Sequence, residues 1–503
     1  GPGESFYVTD SEIAGNTAVH GGGIFNEGDF VRLFRATVRD NTAAGATDGS
    51  ASSDGLGGGI YHMAIEIIQG ESSFLSGDLD VDQSTISNNV AIAGSDSGVG
   101  ADGYGGGIYT EGFTRIDDSL LVGNRAEEGA SGGHAEGGAI WNSSESLSVR
   151  DSTVSANTSD GDGGGIYTGI VIGGGSVSLS NITVTLNQAD ADGDGSGTGG
   201  GLSHDDTGSV FLDNSIIAGN LGIGGAADDA AATVASSSDH NLIGVVAGLV
   251  GVTDVDGNPI NGNLIGTAAA PLAPVLGPLQ DNAGSTHTHA LLVGSPAINA
   301  GDSFSFRDQR GMRRPSTDTD VDIGAYEYVQ DFGDAPSSYP VTLLSDGARH
   351  TVSGLHLGDA IDSEFDGQTS TAGFANRDDD NGFPDDEDGI TFVAAVSGFS
   401  GRVEVSSSGD GFLNAWIDID GSGTWEATEQ IITDITVSAG LNVIDFNLPG
   451  VPAIADFDAI ARFRLDSTGG LTPTGLADDG EVERRSMTSG ETRRTGGSLM
   501  AVR

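Results

Sequence analysis

The chain has 503 residues, with 20 Lys+Arg against 73 Asp+Glu, a formal net charge of −53, 83 Gly and no Cys. Every one of the 20 basic residues is Arg. These figures exclude a double-stranded nucleic-acid binder, which needs a basic face for phosphates. They exclude disulfide scaffolds, zinc ribbons and thiol enzymes, and Schiff-base or P-loop chemistry, which needs lysine.

A Gly-Gly-Gly-apolar unit recurs along the first half. It starts at Gly21, Gly57, Gly105, Gly137 (with Ala139 in third place), Gly163 and Gly199. An aromatic follows in five units: Phe25, Tyr61, Tyr109, Trp141 and Tyr167. A second motif, Ser/Ala-Thr-Val/Ile-x-x-Asn or close to it, ends at Asn16, Asn41, Asn89, Asn124, Asn157, Asn187 and Asn220. The first Asn has no Gly unit before it, so the chain is expected to start inside a repeat. Each repeat of ~20 residues holds three β-prone stretches, and no helical period is sustained. Stacked three-strand repeats predict a parallel β-helix with an Asn ladder in one turn and Ile/Val columns in the core.

Insertions follow the Asn and precede the next Gly unit, which predicts that they all line one corner. They are acidic, carrying Asp48, Asp54, Asp96, Asp102, Glu127, Glu128, Glu136, Asp160, Asp162, Asp190, Asp192 and Asp194. Solvated loops account for such acids, and Asp190, Asp192 and Asp194 are the best cation candidate among them.

From about residue 225 the repeats degenerate. Asn241–Gly244 and Asn263–Gly266 read as final coils, and Pro271, Pro274 and Pro278 mark a passage without strands. Gly294–Asp302, Asp308–Gly311, Arg314–Pro315 and Asp322–Tyr328 follow. Asp308 and Arg310 are expected to form a buried fork closing the last coil. With the Gly units, this run resembles bacterial right-handed β-helix surface proteins with a choice-of-anchor region and polymorphic outer-membrane protein repeats. The resemblance covers about residues 1–329.

The second half changes style at Asp331. Asp331–Tyr339, Gly347–His350, Leu357–Asp359, Asp385–Phe392, Leu413–Asp418, Ala461–Leu465 and Gly480-Glu-Val-Glu483 together resemble the GEVED domain over about 331–483. That resemblance implies a non-catalytic β-sandwich module of secreted or surface proteins, and alternating runs such as Arg402–Ser406 and Ile460–Leu465 read as its strands. After Glu483 the chain departs from the family pattern. Residues 484–503 are expected to be a divergent, disordered tail with five Arg.

The spacing of Asp418, Asp420, Ser422, Thr424, Glu426 and Glu429 matches positions 1, 3, 5, 7, 9 and 12 of a calcium loop, with Gly423 at position 6. Strands rather than helices are expected to flank it. Asp378, Asp380, Asp385 and Asp388 belong to a second acidic cluster and are candidate Ca²⁺ ligands.

The expected architecture is all-β: a parallel β-helix over 1–329, a β-sandwich over 330–483, and the tail. The expected function is an extracellular or cell-surface structural or adhesive protein that binds calcium. Its partners would be surface polysaccharide or other surface components, with no nucleic acid and no transmembrane segment. The alternative is a β-helical polysaccharide lyase or glycoside hydrolase, for which Arg32, Arg35 and Arg39 near His20 and His62 offer the best place for a site.

Overall fold

Each Gly unit turns the chain into a strand that stacks on its counterpart one repeat later. In a computed structural model, all residues are described except 1–4, 29, 47–53, 70–71, 95–100, 130–132, 144–145, 170–175, 206–208, 316–320, 334, 353, 360, 362–366, 368, 371–387, 397–399, 448–457 and 489–503. The chain divides into two units, Gly1–Glu327 and Tyr328–Arg503.

The first unit is a parallel β-helix. One sheet stacks the Gly-Ile-Tyr strands, from Ile24–Glu27 through Ile108–Thr110 to Leu249–Val250. A second runs from Ser5–Thr9 to Ser209–Asp213, and a third from Glu12–Ala14 to Leu264–Ile265. A short fourth strand follows the ladder Asn in several coils, as at Thr42–Ala44 and Val90–Ile92. The sequence signal for it is weak because such a strand is only three residues long.

Registers explain the core. Ile60, Ile108, Ile140 and Ile166 are paired in sequence, as are Val38, Ile86, Leu121 and Val154. All are fully buried, each gaining ~1.5–3 kcal/mol over an exposed position. Thr114 interrupts the column between Leu79 and Leu147. Its hydroxyl is satisfied at 2.6 Å by that of Thr110.

One Gly unit shows why the residue is required. Gly105 has φ +66°, a left-handed turn. A Cβ at Gly106 would lie 2.4 Å from Arg125 N and from Gly138 O of adjacent chain. At another corner the left-handed residue carries a side chain in several coils: Asp118, Asp151, Asn181, Asn214 and His240 occupy one column.

The Asn ladder is continuous. Each Oδ1 accepts from the backbone N and the Nδ2 of the Asn one coil earlier, all the way from Asn16 to Asn220. It ends on Asp229, whose Oδ1 accepts from Asn220 at 2.8 and 3.0 Å. Five residues before the ladder lies a serine column that sequence reading did not single out. Ser84, Ser119 and Ser152 each accept from the backbone of the preceding coil. Asn241 and Asn263 extend this serine column, not the Asn ladder.

Two expectations about the coils change. Successive Asn rungs from Asn16 to Asn220 are 25 to 48 residues apart, not about 20, because the loops belong to the coil. The insertions do not all lie at one corner: a hairpin, Ile65–Gln69 with Ser72–Ser76, follows the Gly-Ile-Tyr strand. Its residues lengthen the repeat that begins at Gly57.

The passage after the last coils is also different. Leu276–Gln280 pairs antiparallel with Thr288–Leu291, and Pro278 sits where the register shifts. The following segment does not close the last coil. It runs back as a strap along the flank of earlier coils. Gln309 bonds Thr153 and Ser119, Ser305 bonds Asp151, and Ala325 N bonds Thr183. The Asp308–Arg310 fork is present, at 2.8 and 2.7 Å, and is fully buried within the strap.

Carboxylates caught at this flank are forced upward. Burial, then the charges of Asp151 and Asp117, push Asp118 up to about 7. Burial pushes Asp151 up to about 6 against the pull of Arg314. A raised acid holds its proton in the fold and releases it on unfolding, so stability falls as pH rises through this range. Denaturant midpoints for the first unit are expected to be higher at pH 5 than at pH 8. A rise in midpoint with pH over that interval would contradict this account.

Beside smaller sheets, such as Gln330–Phe332 with Arg349–Thr351 and Leu476–Ala477, the second unit has two larger antiparallel sheets. One contains Ile390–Val396, Ser400–Ser407 and Gly440–Asn447. The other contains Gln430–Val437, Gly411–Asp418, Asp458–Asp466 and Glu481–Thr488. Val403, Val405 and Phe446 of the first sheet meet Leu413, Ile417, Phe463 and Leu465 of the second in one apolar core, as in a sandwich. The last strand reaches Thr488, so residues 484–488 are a paired strand and not part of a loose tail. Backbone pairing with Asp458–Asp466 carries it past the point where its sequence departs from the family pattern. Among the described residues, no helix is long and apolar enough to cross a membrane.

Candidate metal centre

The strand Gly411–Asp418 ends in the predicted calcium loop, which closes on the short turn Ala427–Glu429. Antiparallel strands flank it, as expected. Asp418 is buried and organises the loop. Its Oδ1 accepts from Gly421 N (2.7 Å) and Ser422 N (3.1 Å), and its Oδ2 from Gly423 N (3.0 Å). Gly423 has φ +82°, and a Cβ there would lie 2.9 Å from Ser338 Cβ. Position 6 therefore needs glycine twice over, for its turn and for its contact.

The six predicted ligands fall into two groups. Carboxylate oxygens of Asp418, Asp420 and Glu429 all lie within 4.8 Å of one another. Ser422, Thr424 and Glu426 form their own cluster: the Ser422 hydroxyl donates to Glu426 Oε1 at 3.1 Å and that of Thr424 at 2.6 Å. Glu429 is buried and accepts from Ile419 N at 2.7 Å and Glu426 N at 3.1 Å. Burial and the neighbouring Glu426 carboxyl push Glu429 up to about 7. Glu426, fully exposed, is held below the usual range, first by Glu429 and then by Thr424.

Residues outside the spacing complete the site. The Tyr339 hydroxyl donates to Asp418 Oδ2 at 2.5 Å. Trp425 packs on Tyr339, with centroids 4.4 Å apart, and under the Arg462 guanidinium at 4.0 Å. Tyr339 lies 79 positions from Asp418, so no local spacing could reveal it.

The last strand, Glu481–Thr488, pins the sheet that carries this loop. Residues 412–483 match the GEVED domain. This domain is typical of extracellular proteins. No curated protein matches the chain. The GEVED motif itself works as a clasp. The Glu481 carboxylate accepts from Leu357 N, Glu483 Oε1 from Gly389 N at 2.8 Å, and Val482 N donates to Asp331 Oδ2 at 2.8 Å. Its acids hold distant backbone.

The second predicted cluster lies largely outside the described residues, which omit Asp378, Asp380 and Asp385. Asp388 is exposed and accepts from Asp359 N at 2.9 Å. In the β-helix, Asp190 accepts from Gly195 N and Gly224 N, both at 2.8 Å. Its carboxylate is thereby spent on backbone. Glu128 replaces it in a trio with Asp192 and Asp194.

Proposed function

We propose that this chain is an extracellular or cell-surface structural and adhesive protein, in which an acidic β-helix carries a calcium-binding GEVED-type sandwich. The observation that carries the reading is the Asp418–Glu429 loop. It gathers three carboxylates at one end of a core strand, at the spacing a hard cation requires. Asp418, Asp420 and Glu429 would hold the ion, with Ser422, Thr424 and Glu426 lining its other side. Calcium would supply the charge that three converging carboxylates lack, and would tie the loop to the sheet. The secreted or surface setting is supported by the extracellular character of GEVED domains. Surface polysaccharide or another surface component would be its partner.

The enzymatic alternative finds no support near its best candidate place. Arg32 pairs with Asp80 and Asp82, Arg35 with Asp10, and Arg39 with Glu12 and Asp40. His62 is buried, bonded to Asn26, and pushed down to about 4 by desolvation.

Chelation is the direct test of the calcium reading. Scanning calorimetry of the full chain with EDTA is expected to show the second unit melting several degrees lower than in Ca²⁺, with the first unit's transition retained. An unchanged melt of the second unit would count against the reading.

A further inference from the structure

The strap leaves a cleft of about 410 Å³ against the flank of the β-helix. One wall is a column of turn residues from successive coils: Arg150, Ser180 and Asp213 are in register, and Asp239 follows them. The other wall is the strap, from Asp302 to Ser305. The cleft is not part of the calcium loop, which lies in the other unit.

Three groups converge beside this cleft, with Asp239 and Asp302 in its lining and His240 next to Asp239. A carboxylate oxygen of Asp239, a ring nitrogen of His240 and a carboxylate oxygen of Asp302 lie within 4.8 Å of one another. They come from two segments about sixty residues apart, brought together by specific bonds. Asp302 N donates to Asn214 Oδ1 at 3.0 Å, and Asn214 N to Asp239 O at 3.0 Å. His240 has φ +45°, and its ring rests against Gly262, where a Cβ would lie 2.5 Å away. Nδ1 of His240 is buried and has no hydrogen-bond partner, with Asp239 Oδ2 3.9 Å away. The Asp239 carboxyl is raised by burial and by the Asp302 charge, against the pull of His240. Asp213 is raised by burial and by Asp239. The lining therefore carries three mutually repelling carboxylates against one guanidinium, Arg150.

We propose that Asp239, His240 and Asp302 bind a divalent transition-metal ion of the zinc class, with the cleft giving the ion access to solvent and to an outside ligand. An imidazole nitrogen beside two carboxylates is a borderline donor set, which suits zinc better than calcium. Tetrahedral ligands at ~2.1 Å from a metal stand ~3.4 Å apart. From separations of up to 4.8 Å the three groups would close by at most about 1.4 Å to reach that spacing. A bound cation would accept the orphaned Nδ1 lone pair and neutralise the facing acids.

The test is titration of the metal-free full chain with Zn²⁺ alone, repeated in excess Ca²⁺. One saturable site is expected, and it persists in excess Ca²⁺. It should weaken at least about tenfold in His240→Asn and in Asp302→Asn. The first substitution preserves the turn, because the same column already uses Asn at 181 and 214. Circular dichroism and an unchanged melt would confirm that both variants fold. Equal zinc affinity in the wild type and both folded variants would overturn the proposal. So would loss of the zinc site in excess Ca²⁺, or the absence of saturable zinc binding.

Discussion

Asn157→Asp is expected to destabilise the first unit by about 4 kcal/mol or more at neutral pH. In the wild type, Nδ2 of Asn157 donates to Asn187 Oδ1, Leu121 O and Ser155 O at 2.9–3.1 Å. The site is fully buried. An aspartate keeps the acceptor that serves Asn124, but it points an oxygen at three acceptors, of which Asn187 Oδ1 keeps only Asn157 N as a donor and Ser155 O keeps Gly123 N. An orphaned buried acceptor costs ~1–3 kcal/mol, and an unpaired buried charge facing other oxygens costs more. Protonation restores one donor, so the loss should shrink on acidification. The natural ladder follows the same logic. Its one acid, Asp229, stands at the final rung, where no further Asn has to be served, and its Oδ2 accepts from Val245 N at 2.7 Å. Urea denaturation at two pH values checks the prediction. A loss under about 1 kcal/mol at neutral pH would show that the ladder is decorative.

Removing Arg314 should have a comparable effect by a different route. Its guanidinium is fully buried under the strap and reaches Glu327 Oε2 at 2.7 Å and Gly324 O at 2.7 Å, with Asp151 3.6 Å away. Arg314→Met strips two buried carboxylates of their nearest countercharge, at a cost of about 3–5 kcal/mol. Adding Glu327→Gln should recover part of that loss, because one of the stranded charges is then gone. Because the strap is held by such pairs, protease nicking within it should increase in the single variant and fall back in the double. Equal stability of wild type and Arg314→Met would mean that the strap adds little to the unit.

Much of the β-helix was legible because stacking forces repetition into the chain. A Gly that meets backbone at 2.4 Å, such as Gly106, has to recur in every coil. So does an Asn that must both donate and accept, such as Asn157. The serine column was legible in principle, since Ser11, Ser84, Ser119, Ser152 and Ser215 all stand five places before a ladder Asn. Serine is too common in turns for that spacing to stand out alone. The strap was not legible. Gln309 and Ser119 are 190 positions apart and share no repeat. The fork of Asp308 and Arg310 was readable locally, while the coil it rests on was not. The Asp418–Glu429 loop shows the same division. The spacing from Asp418 to Glu429 is local, but Tyr339, which bonds Asp418, comes from a distant segment. The clasp of Glu481 and Glu483 likewise depends on Leu357 and Gly389, which no short-range pattern ties to it.

Calcium titration calorimetry on the full chain, beside Asp418→Asn and Glu429→Gln, tests the central claim most directly. Because Glu429 is held near pH 7 by burial, it must give up a proton to coordinate, and affinity should drop as pH falls from 8 to 6. The account predicts a saturable calcium site in the wild type that weakens at least about tenfold in both variants and loosens on acidification. Absence of binding heat, or binding indifferent to both substitutions, would contradict it.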